Sequence, residues 1–170
     1  MLYMPMNPSQ RSLWRRIKAF ELDVAGARFT FTDRLARENG WSISYAIRCV
    51  EEYKKFIFLI CIADQGLTPS DQVDQVWHLH LIYTRSYWDD FCRNTLGKEI
   101  HHGPTKGGDS ERNRFNNLYE ASNAWYRKTF DKEPPEDIWP ATELRFKEIH
   151  FTRVNRHRYW LVPKNPFKNP

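Results

Sequence analysis

The chain has 170 residues, 41% of them hydrophobic, with 7 Trp, 8 Tyr and 11 Phe, which is apolar material for one domain-sized core and excludes whole-chain disorder. Its 7 glycines exclude collagen-like and glycine-rich chains, and its longest apolar run, residues 56–63, is far shorter than the roughly 20 residues that span a bilayer. The formal charge of +5 lies wholly in residues 141–170, where seven basic residues meet two acidic ones, while residues 1–140 balance 19 against 19.

Asn7-Pro8-Ser9 reads as a helix start, and Leu13, Trp14, Ile17 and Phe20 share one side of a helix running to about Leu22. A short second helix is expected from Thr32 to a stop at Gly40. Ser42 or Ser44 then caps a longer helix that ends before Gly66, with Ile43, Ala46, Ile47, Val50, Tyr53 and Ile57 at helical spacing. Past Lys55 it turns apolar all round, the pattern of a central buried segment.

Thr68-Pro69-Ser70-Asp71 is the clearest start signal, with Thr as cap, Pro at the first helical position and Asp supporting the exposed amides. Nothing interrupts the pattern before Gly97, which predicts one helix over about 69–95, about 40 Å long. A polar loop over 97–108 leads to a helix from Asp109 or Ser110 to about Phe130, with Leu118, Tyr119, Trp125 and Tyr126 on its apolar side. Pro134-Pro135 and Pro140 predict an extended connection. Residues 157–163 are β-prone and predict a short strand or an extended arm. The expected architecture is mostly α: a single-domain bundle of about five helices over residues 1–140, with 141–170 as a basic aromatic segment docked on it.

Four of the six histidines, His78, His80, His101 and His102, fall within 25 residues. On an ideal helix with Trp77 at zero, His80 lies near −60° with the apolar group Val73, Thr84, Tyr87, Trp88 and Phe91. His78 lies near +100°, on the flank beside Asp74 and Arg85, so the two imidazoles diverge by about 160° and chelate one ion poorly from an unbroken helix. Asp74 and His78, at i,i+4, can face one point, and carboxylate plus imidazole is a sound donor pair for zinc or another divalent metal. Cys92 shares Asp74's flank but stands 14 residues past His78, about 21 Å along the axis. His101 and His102 in the connector reach Cys92 easily and His80 only across nearly taut chain; a kink would relax these limits.

The candidate metal set is therefore Asp74, His78, His80, His101 and His102, with Trp77 and Cys92 beside it. Plainer readings stand next to this one: His80 as a hydrogen-bonded core residue, Asp74–His78 as a surface pair, Cys92 as an inert small hydrophobe. P-loop, GxGxxG, HExxH, GxSxG and paired-cysteine zinc motifs are absent from the chain.

The stretch Val73-Asp74-Gln75-Val76-Trp77-His78-Leu79-His80 resembles the VDxxWHxH signature of the glycine-rich-domain-containing-protein-like family. Tyr83, Tyr87, Cys92, Gly97, His101-His102, Tyr119, and Pro134-Pro135 before Trp139 extend the likeness over roughly residues 40–140. The chain looks like a short form, without the glycine-rich extension of the larger plant members. The resemblance implies a mainly helical domain in which Asp74, Trp77, His78, His80, Cys92 and His101 or His102 act together, as a metal site, a catalytic centre or a buried polar network. It implies no particular reaction.

The favoured expectation is a small binding or adaptor domain whose Asp/His cluster holds a divalent metal such as zinc, or a small ligand, with a protein or small molecule as partner. A metal- or His-dependent enzyme using the same cluster is the first alternative. The second is a binder of nucleic acid or an acidic partner through Arg145, Lys147, Arg153, Arg156, Arg158, Lys164 and Lys168, interleaved with Phe146, Phe151, Tyr159, Trp160 and Phe167. Three cysteines without CxxC spacing, and an N-terminal stretch lacking a signal pattern, predict a cytoplasmic protein with no membrane partner.

Overall fold

Asn7 opens the first helix with a reciprocal cap: its Oδ1 accepts from the Gln10 amide at 2.9 Å, and Gln10 Oε1 accepts from the Asn7 amide at 3.0 Å. Helix α1 follows over Pro8–Ala19. Thr30 and Asp33 repeat the device on α2, Phe31–Asn39, so this helix starts ahead of Thr32. Gly40 ends it at φ 68°, a left-handed conformation that glycine adopts without strain. Ser42 caps α3, Ile43–Ile62; α4 is Asp71–Ile82, α5 is Ser86–Leu96, α6 is Asp109–Phe130 and α7 is Thr142–Arg145. This computed structural model describes residues 5–103 and 109–145, together with His157, Arg158, Trp160 and Val162.

Helix α3 is the axis of the bundle and packs against α1, α2, α4 and α6. Phe56, Ile57, Phe58 and Leu59 are all fully buried, as expected of a segment that is apolar on every side. One residue of α3 breaks the apolar pattern from inside. Glu52 is buried, and its carboxylate accepts from Lys55 Nζ at 2.6 Å, Trp139 Nε1 at 3.0 Å and Tyr126 Oη at 3.3 Å. These bonds compensate the desolvation of the charge and join α3 to α6 and to the segment after it.

The structure corrects the sequence reading at several points. The single helix expected over 69–95 is two helices. Tyr83 closes α4 with φ −81° and ψ 62°, and α5 is a π-helix of 11 residues, where single π-turns are the usual form. Tyr83 packs edge-on against Phe31, with ring centroids 5.3 Å apart, which fixes the break against α2. Gly97 ends α5 at φ 73°. Thr68 is not the cap of α4. Its amide donates to Ser122 Oγ at 3.0 Å and its carbonyl accepts from the same hydroxyl at 2.8 Å, so Ser70 caps instead, with Oγ 3.2 Å from the Val73 amide.

The connection after α6 is not simply extended. The Ile138 and Trp139 amides both donate to the Pro135 carbonyl, forming a turn that carries Ile138 and Trp139 into the core. With the broken histidine helix and the short α7, seven helices replace the expected five among the described residues. No strand occurs among them: His157 and Arg158 form a turn, and Trp160 and Val162 are exposed without regular structure. The rest of the expected arm and most of the basic segment, Arg145, Arg158 and Trp160 excepted, lie outside the described residues. No helix among the described residues is long and apolar enough to cross a membrane.

Glu52→Ala leaves a buried indole N–H and a phenol without their acceptor and is expected to cost about 3 kcal/mol. Trp139→Phe removes one donor and should cost about 1–2 kcal/mol. Urea denaturation of the two variants beside the parent checks both the size and the order.

Candidate metal centre

Ser70 starts α4 so that Asp71 and Asp74 fall in its first turn, where the helix dipole favours carboxylates. His78 follows Asp74 by one turn, and its Nε2 lies 3.9 Å from Asp74 Oδ2. The second imidazole comes from beyond α5. Trp77 Nε1 donates to Tyr87 Oη at 2.9 Å, and Tyr87 Oη donates to the Ile100 carbonyl, which seats Ile100 in the core. Two residues on, His102 lies edge-on to the Trp77 ring with centroids 4.6 Å apart, and its Nε2 is 2.7 Å from Asp74 Oδ1. The His78 and His102 rings stand 4.5 Å apart.

Asp74, His78 and His102 each offer one ligand atom, and these atoms lie within 4.8 Å of one another. Tetrahedral zinc, with bonds of about 2.0–2.1 Å, spaces its ligand atoms about 3.3 Å apart. The Asp74–His102 pair would open slightly around such an ion and the His78 ring would close in. Asp74 and His102 side chains are both 18% exposed, whereas His78 is 50% exposed, so the cluster is walled by protein on one side and faces solvent on the other.

The other candidates lie elsewhere. His80 is fully buried among Phe20, Phe31, Tyr87 and Phe91; Tyr53 Oη is 2.9 Å from its Nδ1, and Ser86 Oγ is 3.2 Å from its Nε2. Burial pushes this imidazole down to about 3, so it stays neutral. His101 is 74% exposed; its ring lies tilted against Trp88, with centroids 5.3 Å apart, and its Nε2 is 3.5 Å from Glu99. Cys92 is buried and its thiol is pushed up by desolvation, the opposite of an activated thiolate. Trp77 serves as a wall of the cluster and as the first donor in the Tyr87 chain. The sequence reading missed Tyr87 and Ile100. Tyr87 stands there on the apolar face and among the residues of the resemblance, without its hydrogen-bonding role, because its partner is a main-chain carbonyl 13 residues away.

Fold and site together define a mostly helical bundle bearing a carboxylate and two imidazoles in one half-exposed cluster. The chain belongs to the UCP032817-like family, whose family model matches residues 30–142, a span that includes all three cluster residues. That match corrects the resemblance to the glycine-rich-domain-containing-protein-like family, drawn from the α4 octapeptide and single residues over roughly 40–140. No curated protein and no solved structure matches the chain.

In the unfolded chain a histidine takes up its proton near 6.5, whereas His80 in the fold resists until about 3. The unfolded state therefore binds more protons between these values, and His80 makes stability fall as pH drops through that window, by up to about 1.4 kcal/mol per pH unit. Urea titrations from pH 7.5 to 4 should show this slope, and His80→Gln should flatten it. The same variant should be less stable at pH 7.5 by about 1–3 kcal/mol, because the Tyr53 and Ser86 hydroxyls lose their ring-nitrogen partners.

Proposed function

We propose that this protein is a binding domain whose Asp74, His78 and His102 hold a divalent metal ion, and that the loaded site receives a small ligand or a group on a partner protein. The convergence of the three ligand atoms within 4.8 Å carries the reading. Two imidazoles and one carboxylate are borderline donors that suit zinc and other first-row divalent ions better than calcium or magnesium. Three protein ligands, one of them half exposed, leave a coordination position on the solvent side; sites of that kind exchange water for ligand, whereas structural zinc sites are closed. The same open position supports the second reading, a metal-dependent enzyme acting through bound water.

Tag-free protein should bind one zinc ion per chain in competition with a chromophoric chelator. His78→Ala and His102→Ala should each weaken binding by about 100-fold or more, since each removes a ligand. His101→Ala should bind as the parent does, because its ring faces Glu99 and Trp88. No zinc uptake by the parent protein, or equal loss in His101→Ala and His102→Ala, overturns the reading.

A further inference from the structure

We infer that an ion held by Asp74, His78 and His102 works as a clasp, its occupancy setting how often the connector over residues 97–103 lifts from the bundle. The inference rests on the metal reading above and adds what the site regulates. Asp74 and His78 belong to α4, whereas His102 belongs to the connector. Binding therefore ties a segment outside the helices to the side of a helix.

The connector is held from beneath at alternate points. The Gly97 and Lys98 amides both donate to the Cys92 carbonyl, which fixes its start to the end of α5. Ile100 is buried, whereas residues 97–99, His101 and Gly103 are exposed. The Ile100 carbonyl accepts from Tyr87, and its amide reaches the Cys92 sulfur. Past Ile100, the 2.7 Å bond between His102 and Asp74 joins the chain to α4.

An ion at the cluster replaces that one hydrogen bond with coordinate bonds to His102, Asp74 and His78, so lifting the connector must also break ligation. An ion that binds the closed form and not the open one lowers the open population by the factor 1 + [M]/Kd, roughly 100-fold at 100 times Kd. The factor is smaller to the extent that Asp74 and His78 keep the ion after His102 leaves.

The structure supplies a reporter for this motion. Cys92 is fully buried, and Tyr87 and Ile100 both reach its sulfur, so raising Ile100 uncovers the thiol. Its alkylation rate then measures how often the connector is open.

The test follows iodoacetamide modification of Cys92 in the full chain, read by peptide mass spectrometry apart from Cys49 and Cys61. It is run with and without saturating Zn2+, over urea concentrations well below the unfolding transition. Without metal the Cys92 rate should barely change with urea, as an opening that exposes little surface requires. Zinc should lower the rate at least tenfold in the parent and less than twofold in His78→Ala at the same concentration. Tyr87→Phe, which releases the Ile100 carbonyl, should raise the metal-free rate at least threefold; if that variant is disturbed in its fold, the zinc response of the parent decides. A Cys92 rate that climbs steeply with urea, or that bound zinc leaves unchanged, overturns this inference and leaves the metal reading standing. So does zinc protection that survives in His78→Ala. A chain that takes up no zinc removes the metal reading itself, and this one with it.

Discussion

The Tyr87 hydroxyl is the group on which the cluster depends. It accepts from Trp77 and donates to Ile100, so one buried atom ties α4, α5 and the connector after Gly97 together. A polar group left unbonded in such a place costs about 1–3 kcal/mol, so each of the three holds the others in position. The seat of Ile100 follows from this, and with it the delivery of His102, rather than His101, to Asp74. The break at Tyr83 makes the arrangement reachable. On a continuous α-helix residues 77 and 87 would be about 15 Å apart along the axis, more than a hydrogen bond between their side chains readily spans.

Helix α3 is held from two sides by adjacent residues. Glu52 faces Lys55, Tyr126 and Trp139, while Tyr53 faces His80 on α4. Neighbouring positions on a helix point about 100° apart, so the two contacts together set the rotation of α3 between α4 and α6. An apolar surface alone would allow several rotations of similar energy. Buried polar partners with directional bonds narrow that choice. His80 belongs to this framework and His78 to the cluster, although the two are separated by a single residue, because positions two apart on α4 point to nearly opposite sides of the helix.

What could be read from the sequence was what one helical turn decides. The helix start at Asn7-Pro8-Ser9, a serine cap at Ser42 or Ser44, the i,i+4 pairing of Asp74 with His78, and the inward direction of His80 all depend on residues close in the chain. The break at Tyr83 gave no sign, because Tyr83-Thr84-Arg85 contains neither glycine nor proline and its cause is the packing of Tyr83 on Phe31. Thr68 looked like a cap until Ser122, 54 residues away, claimed both its main-chain groups. His101 and His102 could not be told apart locally; the contact between Tyr87 and Ile100 decides between them. The resemblance misled on family for a related reason: one octapeptide of α4 and scattered single residues over 40–140 carry less information than a family model matched along residues 30–142.

The Asp74–His102 bond joins residues 28 apart in the chain, and the break and the whole of α5 lie inside the ring it closes. Closing so long a ring is unfavourable until its contents are folded. The carboxylate and the first imidazole are placed by α4 alone, whereas the position of the second imidazole depends on α5 being packed and Ile100 seated. In reverse, a local opening confined to residues 97–103 takes His102 away while α4 stays whole. The cluster thus depends on a short connector whose contacts are separate from those that hold α3 against its neighbours.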